Sequence, residues 1–448
     1  MGATATHVAV VVVGGGQAGL SMSHCLKRRG IDHLVLERDR VAHDWREARW
    51  DSFCLVTPNW QCRLPGFPYA GDDPSGFMPR DEIVAYIEAY AASFQPPLLE
   101  GTNVTELRPG RSGFALSTSA GDFSADHVVI ATGGYHVPRI PRLAERLPAD
   151  VLQISSTQYS NPDALPGGDV LVVGTGQSGC QIAEDLHLAG RTVHLCVGGA
   201  TRTARRYRGR DVVDWLDDLG LYELPVHEHK LGEEVRAKAN QYVTGRDGGR
   251  DIDLRRFARE GMRLYGRLQG EDGGVLLFAP DLQRNLDAAD AAAEAIKDKI
   301  DAHIEAGAID APHEARYEPV WQPGVQPREL NVAASGVGSV VWCTGFKADY
   351  GWVRAPVFDG RGHLCHERGE TGVPGLYVIG LPWLHTWGSG RFSGVARDAE
   401  YLADLVDLAR RSPEAGAATP RAGLRAAAVS PGYSGVASST SVPYGSRM

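Results

Sequence analysis

Two glycine turns hold the most specific chemistry in this sequence. Gly14-Gly15-Gly16-Gln17-Ala18-Gly19 follows the apolar run 8–13, and Gly174-Thr175-Gly176-Gln177-Ser178-Gly179 follows "DVLVV" at 169–173. Each reads Gly-x-Gly-x-x-Gly. The first glycine permits a sharp turn, the second lets backbone approach a pyrophosphate, and the third lets helix pack on strand. The phosphate charge then faces amides at the helix N-terminus. The pattern gains weight because a strand precedes and a helix follows each copy.

The two turns part company one strand later. Glu37 lies 18 positions past Gly19, where a carboxylate accepts hydrogen bonds from a ribose diol. The same count from Gly179 reaches Val197, followed by Gly198 and Gly199 and then Thr201, Arg202, Thr203, Arg205, Arg206, Arg208 and Arg210. Guanidinium groups pair with a 2′-phosphate that a carboxylate would repel. Arg202 with Arg205 or Arg206 is the expected contact, and the second turn is expected to prefer NADPH. Two chemically different dinucleotides, FAD and NADPH, make a donor and acceptor pair for hydride.

Elements that position these turns follow from pattern. The run 8–13 reads as a buried parallel strand, 18–29 as a helix and 33–37 as the next strand. Residues 81–94 read as an amphipathic helix with Ile83, Tyr86, Ile87 and Tyr90 on one face. A second β-α-β unit spans 169–197. Leu286, Ala289, Ile296, Ile300 and Ile304 form one stripe over 283–305 and read as core packing rather than a partner surface. Strands are expected at 337–346 and 375–380, and a closing helix at 392–409. The fold class is α/β, with two Rossmann-like domains and the NADPH domain inserted into the FAD domain. The boundaries are 1–160 and 321–410 for the FAD domain and 161–320 for the NADPH domain with its helical elaboration. The segment 411–448 reads as a disordered tail.

Composition sets limits. The chain has 448 residues and a formal charge of −9, which argues against nucleic acid as a partner. Seven cysteines stand without CxxC spacing, which fits a reducing cytoplasm and neither a disulfide framework nor a metal site. No stretch is long and apolar enough to span a membrane, so a soluble, cytoplasmic protein is expected. An oligomer is compatible with all of this.

On these residues the sequence resembles flavin-dependent monooxygenases with two dinucleotide-binding domains, the flavin-containing monooxygenase class. The resemblance covers about residues 7–409. It rests on both glycine turns, on "VVIATGG" (128–134) and "VVWCTGF" (340–346), on the segment 44–69, and on "GLYVIGLPWLHTWGSGRFSGVARDAEYLA" (375–403). Segments 44–69 and 375–403 look closest to a bacterial subfamily of flavin oxidoreductases encoded near a nitrilase. The resemblance implies that NADPH reduces FAD and that O2 then forms a C4a-(hydro)peroxyflavin that oxygenates a small organic substrate. It implies that Gly14, Gly16, Gln17, Ala18, Glu37, Arg38, Trp45 and Thr132 line FAD, with Val104 backbone at the adenine. Asn59 and Gln61 would face the flavin ring as catalytic amides. Trp383, His385 and Arg391 would lie on the substrate side, His385 being the candidate catalytic imidazole. One departure stands out. Where the family has histidine before the second turn, this chain has Ser155, although Tyr159 fits the fingerprint. A reductase or oxidase without oxygen insertion, and a redox sensor reading cofactor occupancy, remain the alternative readings.

Overall fold

The computed structural model describes residues 5–411. Two sheets dominate. In the first, Thr6–Val13 lies at the centre, parallel to His33–Leu36 on one side and to Gly121–Ile130 on the other. Val10, Val11 and Val12 are fully buried, because helices and further chain cover both faces of the sheet. Leu98–Leu99 closes one edge, and Leu376–Val378 continues beyond Gly121–Ile130. The helix Gln17–Arg28 packs Leu20, Met22 and Leu26 against Val395, Leu402 and Val406 of the closing helix Val395–Arg411. Arg29 pins this pair through Glu400 at 2.7 Å and Asp404 at 2.6 Å.

The second sheet has five parallel strands, ordered Leu152–Ser155, Val337–Trp342, Asp169–Val173, Val193–Cys196 and Arg263–Tyr265. This corrects the expected boundaries. Leu152–Ser155 and Val337–Trp342 fall within the bounds expected for the first domain, yet both pair here, with Val341 beside Ile154 and Val172. The second unit therefore runs over about 152–342. A buried parallel strand carries the same apolar run whichever sheet it joins, so its partner is set by chain topology rather than local composition.

The chain crosses between the units twice, and the crossings run side by side. Val137–Pro138 pairs antiparallel with Phe346–Lys347, and Arg139 donates its N–H to Gly345 O at 2.9 Å. The region after 200 supplies a short hairpin (Arg206–Tyr207 with Arg210–Asp211), the helix Val212–Asp218 and the long helix Leu282–Ala306. The stripe on that long helix is core as expected. Leu286, Ala289, Ile300 and Ile304 are buried, and Ile296 packs half-buried beside them. No helix among the described residues is long and apolar enough to cross a membrane. The tail expected at 412–448 lies outside the described residues.

Candidate active site

The two turns are built alike. Gly14 and Gly174 adopt φ of +109° and +106°, the left-handed side that glycine alone enters freely. A Cβ on Gly14 would sit 2.8 Å from Ala131 O, and one on Gly174 would sit 2.6 Å from Cys343 O. The backbones of "ATG" (131–133) and "CTG" (343–345) thus press against the first glycine of each turn. A Cβ on Gly19 or Gly179 would meet the carbonyl of Gly14 or Gly174 below 2 Å, so the helix rests directly on the turn. In front of Gly16 and Gly176 nothing lies within 4 Å, which leaves room for a ligand. The glutamines that follow act as clamps. Gln17 accepts from Trp45 Nε1 at 3.3 Å, while Gln177 bonds both backbone groups of Val243.

Around the first turn, Glu37 accepts from Gly15 N at 2.5 Å and Asp39 N at 2.9 Å. Thr102 N reaches Glu37 O at 2.8 Å, which brings the buried Val104 beside the same strand end. Ala18 faces Gly380, where a Cβ would lie 2.5 Å from its own, so the segment 375–403 closes over this helix end. Trp45 stacks on Phe392 from that segment at 5.5 Å. Arg38 is exposed and held by Asp39 at 2.8 Å. Thr132 Oγ1 is buried with no partner.

The two candidate amides differ. Asn59 is satisfied at both ends, accepting from Met78 N at 2.7 Å and donating to Asp73 O at 3.0 Å. It therefore shapes the loop 73–78, with both ends of the amide engaged. Gln61 is 1% exposed, and neither its Oε1 nor its Nε2 has a partner. An orphaned buried polar group costs about 1–3 kcal/mol, and a ligand that completes it removes that cost. The open space before Gly16 and the orphaned atoms of Gln61 and Thr132 fit a flavin dinucleotide.

His385 belongs to another neighbourhood. Burial, then Arg368, His227 and Arg397, lower its pKa and favour the neutral imidazole. Trp383, two residues earlier, holds φ of +54° and packs its ring against His229 at 5.2 Å.

The expected arginine cluster at the second turn is dispersed. Arg202 is buried, paired with Asp290 at 2.7 Å and laid over Tyr317 at 4.1 Å, although its Nη2 lacks a partner. Arg205 is 2% exposed, salt-bridged to Asp211, and donates to Val56 O of the first unit at 2.7 Å. Its guanidinium ties the second unit to the first. Arg206 is exposed and donates to Gly248 O at 2.9 Å.

One node belongs to no motif. Asp185, buried on the helix Gln177–Leu188, accepts from Ser52 Oγ at 2.6 Å, Tyr159 OH at 2.6 Å and Arg246 Nη1 at 2.5 Å. It joins the first unit to the second. Ser155, in the family's histidine position, is spent locally on Thr157 and Gln158. The available signal was an acid pair, Glu184-Asp185, within the buried run of the helix.

Residues 11–254 match the family model described as pyridine nucleotide-disulphide oxidoreductase. The chain belongs to that family. It is 34% identical over 399 residues to a CzcO-like oxidoreductase of Geobacillus kaustophilus, covering 88% of this chain and 97% of the relative. It is 33% identical over 180 residues to indole-3-pyruvate monooxygenase YUCCA1 of Oryza sativa, covering 39% of this chain and 44% of that one. A variant of the flavin monooxygenase from Stenotrophomonas maltophilia superposes with a TM-score of 0.60 at 20% identity, over 90% of this chain and 99% of the other. The family member described here is a flavoprotein oxidoreductase that uses a pyridine nucleotide, with the two-Rossmann-domain fold of flavin monooxygenases.

Proposed function

We propose that this protein is an NADPH-dependent flavoprotein monooxygenase for small organic substrates, with FAD on the first turn and NADPH on the second. The observation that carries this reading is the pair of matched turns with opposite strand ends: Glu37 at one, and Val197-Gly198-Gly199 at the other. A carboxylate suits a free ribose diol, and its absence leaves room for a 2′-phosphate.

When bound, the flavin supplies hydride acceptance from NADPH and activation of O2, one oxygen atom going to substrate and the other to water. The chain's own residues hold and shield that chemistry. Gln61 offers a buried amide, donor and acceptor both free, to the ring edge. Trp45 and Phe392 wall the site against water. Asp185 ties the nucleotide-bearing helix to Ser52 of the flavin-side segment, fixing the approach of donor to acceptor.

Thiol chemistry is disfavoured. All seven cysteines are free. Burial pushes Cys54 up to about 11 and Cys62 up to about 12, so neither thiol ionises readily for disulfide exchange.

The test is anaerobic reduction by NADPH followed by mixing with oxygenated buffer in stopped flow. A transient absorbance distinct from oxidised and reduced flavin supports oxygen transfer. Direct reoxidation with one H2O2 per flavin, unchanged by any candidate substrate, would leave an oxidase.

A further inference from the structure

Several buried and half-buried arginines of this protein pair with carboxylates. Arg202 has Asp290, Arg246 has Asp185, and Arg255 has Asp287 at 2.6 Å and Asp290 at 2.8 Å. Arg391 does not. Its Nη1 donates to Trp387 O and its Nη2 to Asn240 Oδ1 at 2.9 Å, both neutral acceptors. The ionisable side chains acting on it are the phenols of Tyr135 and Tyr222. Burial lowers its pKa to about 10, as expected of a guanidinium without a counter-ion. Among the described residues nothing accepts from its Nε.

Its surroundings are flat and aromatic. The guanidinium lies 3.7 Å over the Trp387 ring, and Trp387 meets Tyr222 with ring centres 4.3 Å apart. Tyr222 and Asn240 come from the second unit, while Trp387 and Arg391 come from the closing segment, so the group stands where the two units meet. This junction also adjoins the segment that carries Gln61. Arg63, two residues after Gln61, donates its N–H to Phe392 O at 3.3 Å, one residue after Arg391. A stacked, pre-oriented guanidinium with a free N–H edge is suited to a carboxylate.

We propose that Arg391, floored by Trp387 and flanked by Tyr222, binds the carboxylate of a small aromatic acid, and that this acid is the class of substrate presented to the flavin. The inference rests on the monooxygenase reading above and names its substrate class. Arg391 is a binding residue, and its effect falls on affinity for the acid.

The experiment titrates the oxidised holoenzyme with phenylacetate and with its neutral isostere phenylacetamide, reading the flavin absorbance shift. Phenylacetate should bind saturably and phenylacetamide about tenfold or more weakly. Arg391→Gln should weaken phenylacetate about tenfold or more and leave phenylacetamide unchanged, with Arg391→Lys between. FAD content reports folding; if Arg391→Gln loses FAD, Arg391→Lys serves alone. Equal binding of acid and amide, no binding of phenylacetate, or wild-type affinity in the variants would overturn the proposal. So would a parallel loss of NADPH affinity, which would assign the cation to the nucleotide. Failure of NADPH to reduce the wild-type flavin is a separate readout and sinks the parent reading instead.

Discussion

The first and second glycine turns have the same backbone and different closures. At the first, the Glu37 carboxylate takes Gly15 N across the gap between strand ends. At the second, the Thr175 hydroxyl takes Gly198 N at 2.9 Å from the opposite side. The charge thus sits on the second strand in one copy and is absent from the other. The clamping glutamines diverge too, Gln17 holding an aromatic wall and Gln177 holding the backbone of an inserted loop. On the reading proposed above, the duplicated geometry would receive the phosphate and the unduplicated closure would select the nucleotide.

The largest expected effects test the shared part. Gly14→Ala forces a Cβ into Ala131 backbone at a left-handed φ. It should yield protein without FAD, measured as the flavin-to-protein ratio. Gly174→Ala meets Cys343 backbone in the same way and should leave the protein yellow, while NADPH no longer bleaches it anaerobically. Loss of FAD in both variants would undo the division of labour between the turns.

The next effect tests the closures. Gly198→Asp adds a carboxylate where a Cβ meets only Thr175 Oγ1 at 3.6 Å, an ordinary contact. It should lower NADPH affinity about tenfold relative to NADH. Glu37→Gln should weaken FAD by about tenfold, since a charged acceptor becomes a neutral one. Unchanged nucleotide preference in Gly198→Asp would refute the 2′-phosphate assignment.

A smaller effect separates the arginines. Arg206→Ala should raise KM for NADPH a few-fold more than for NADH. Arg205→Ala should instead lower the melting temperature, because Asp211 is left partly buried without its partner. Nucleotide kinetics and thermal melts on the two variants distinguish these outcomes.

What was legible in the sequence was whatever local pattern determines. The glycine turns, the buried valine strands and the stripe on Leu282–Ala306 are short-range patterns, and they stand where the pattern put them. Partnership was not legible. Nothing local in "VGSVVW" says that it pairs with Asp169–Val173 rather than with the first sheet, so the domain boundary moved. A sequence shows the charge of Arg205 but not that Val56 O and Asp211 consume it. Likewise Asn59 and Gln61 are the same chemistry two residues apart, and only packing shows which amide is satisfied. Asp185 was the exception that pattern could have caught, an acid where helix periodicity demands an apolar residue.

The smallest predicted effect returns to the helices behind the two turns. Gln17–Arg28 buries Leu20, Met22 and Leu26 and carries no acid. Gln177–Leu188 buries Glu184, whose carboxyl is pushed up to about 7 by desolvation, against the pull of Arg250 at 3.3 Å. A carboxyl whose folded pKa exceeds its unfolded value holds an extra proton in the native state between the two. Stability is therefore undiminished below about pH 4.5 and falls as pH rises through about 7. Glu184→Gln removes the titration and leaves Arg250 its second partner, Asp247 at 3.3 Å. Denaturant melts should show wild type and variant alike at pH 4, with the variant more stable by about 1–3 kcal/mol at pH 8. The same substitution should leave FAD content unchanged, because the first helix has no such group. A pH profile identical in the two proteins would mean that Glu184 is ionised in the folded state across the range and that Arg250 fully compensates it.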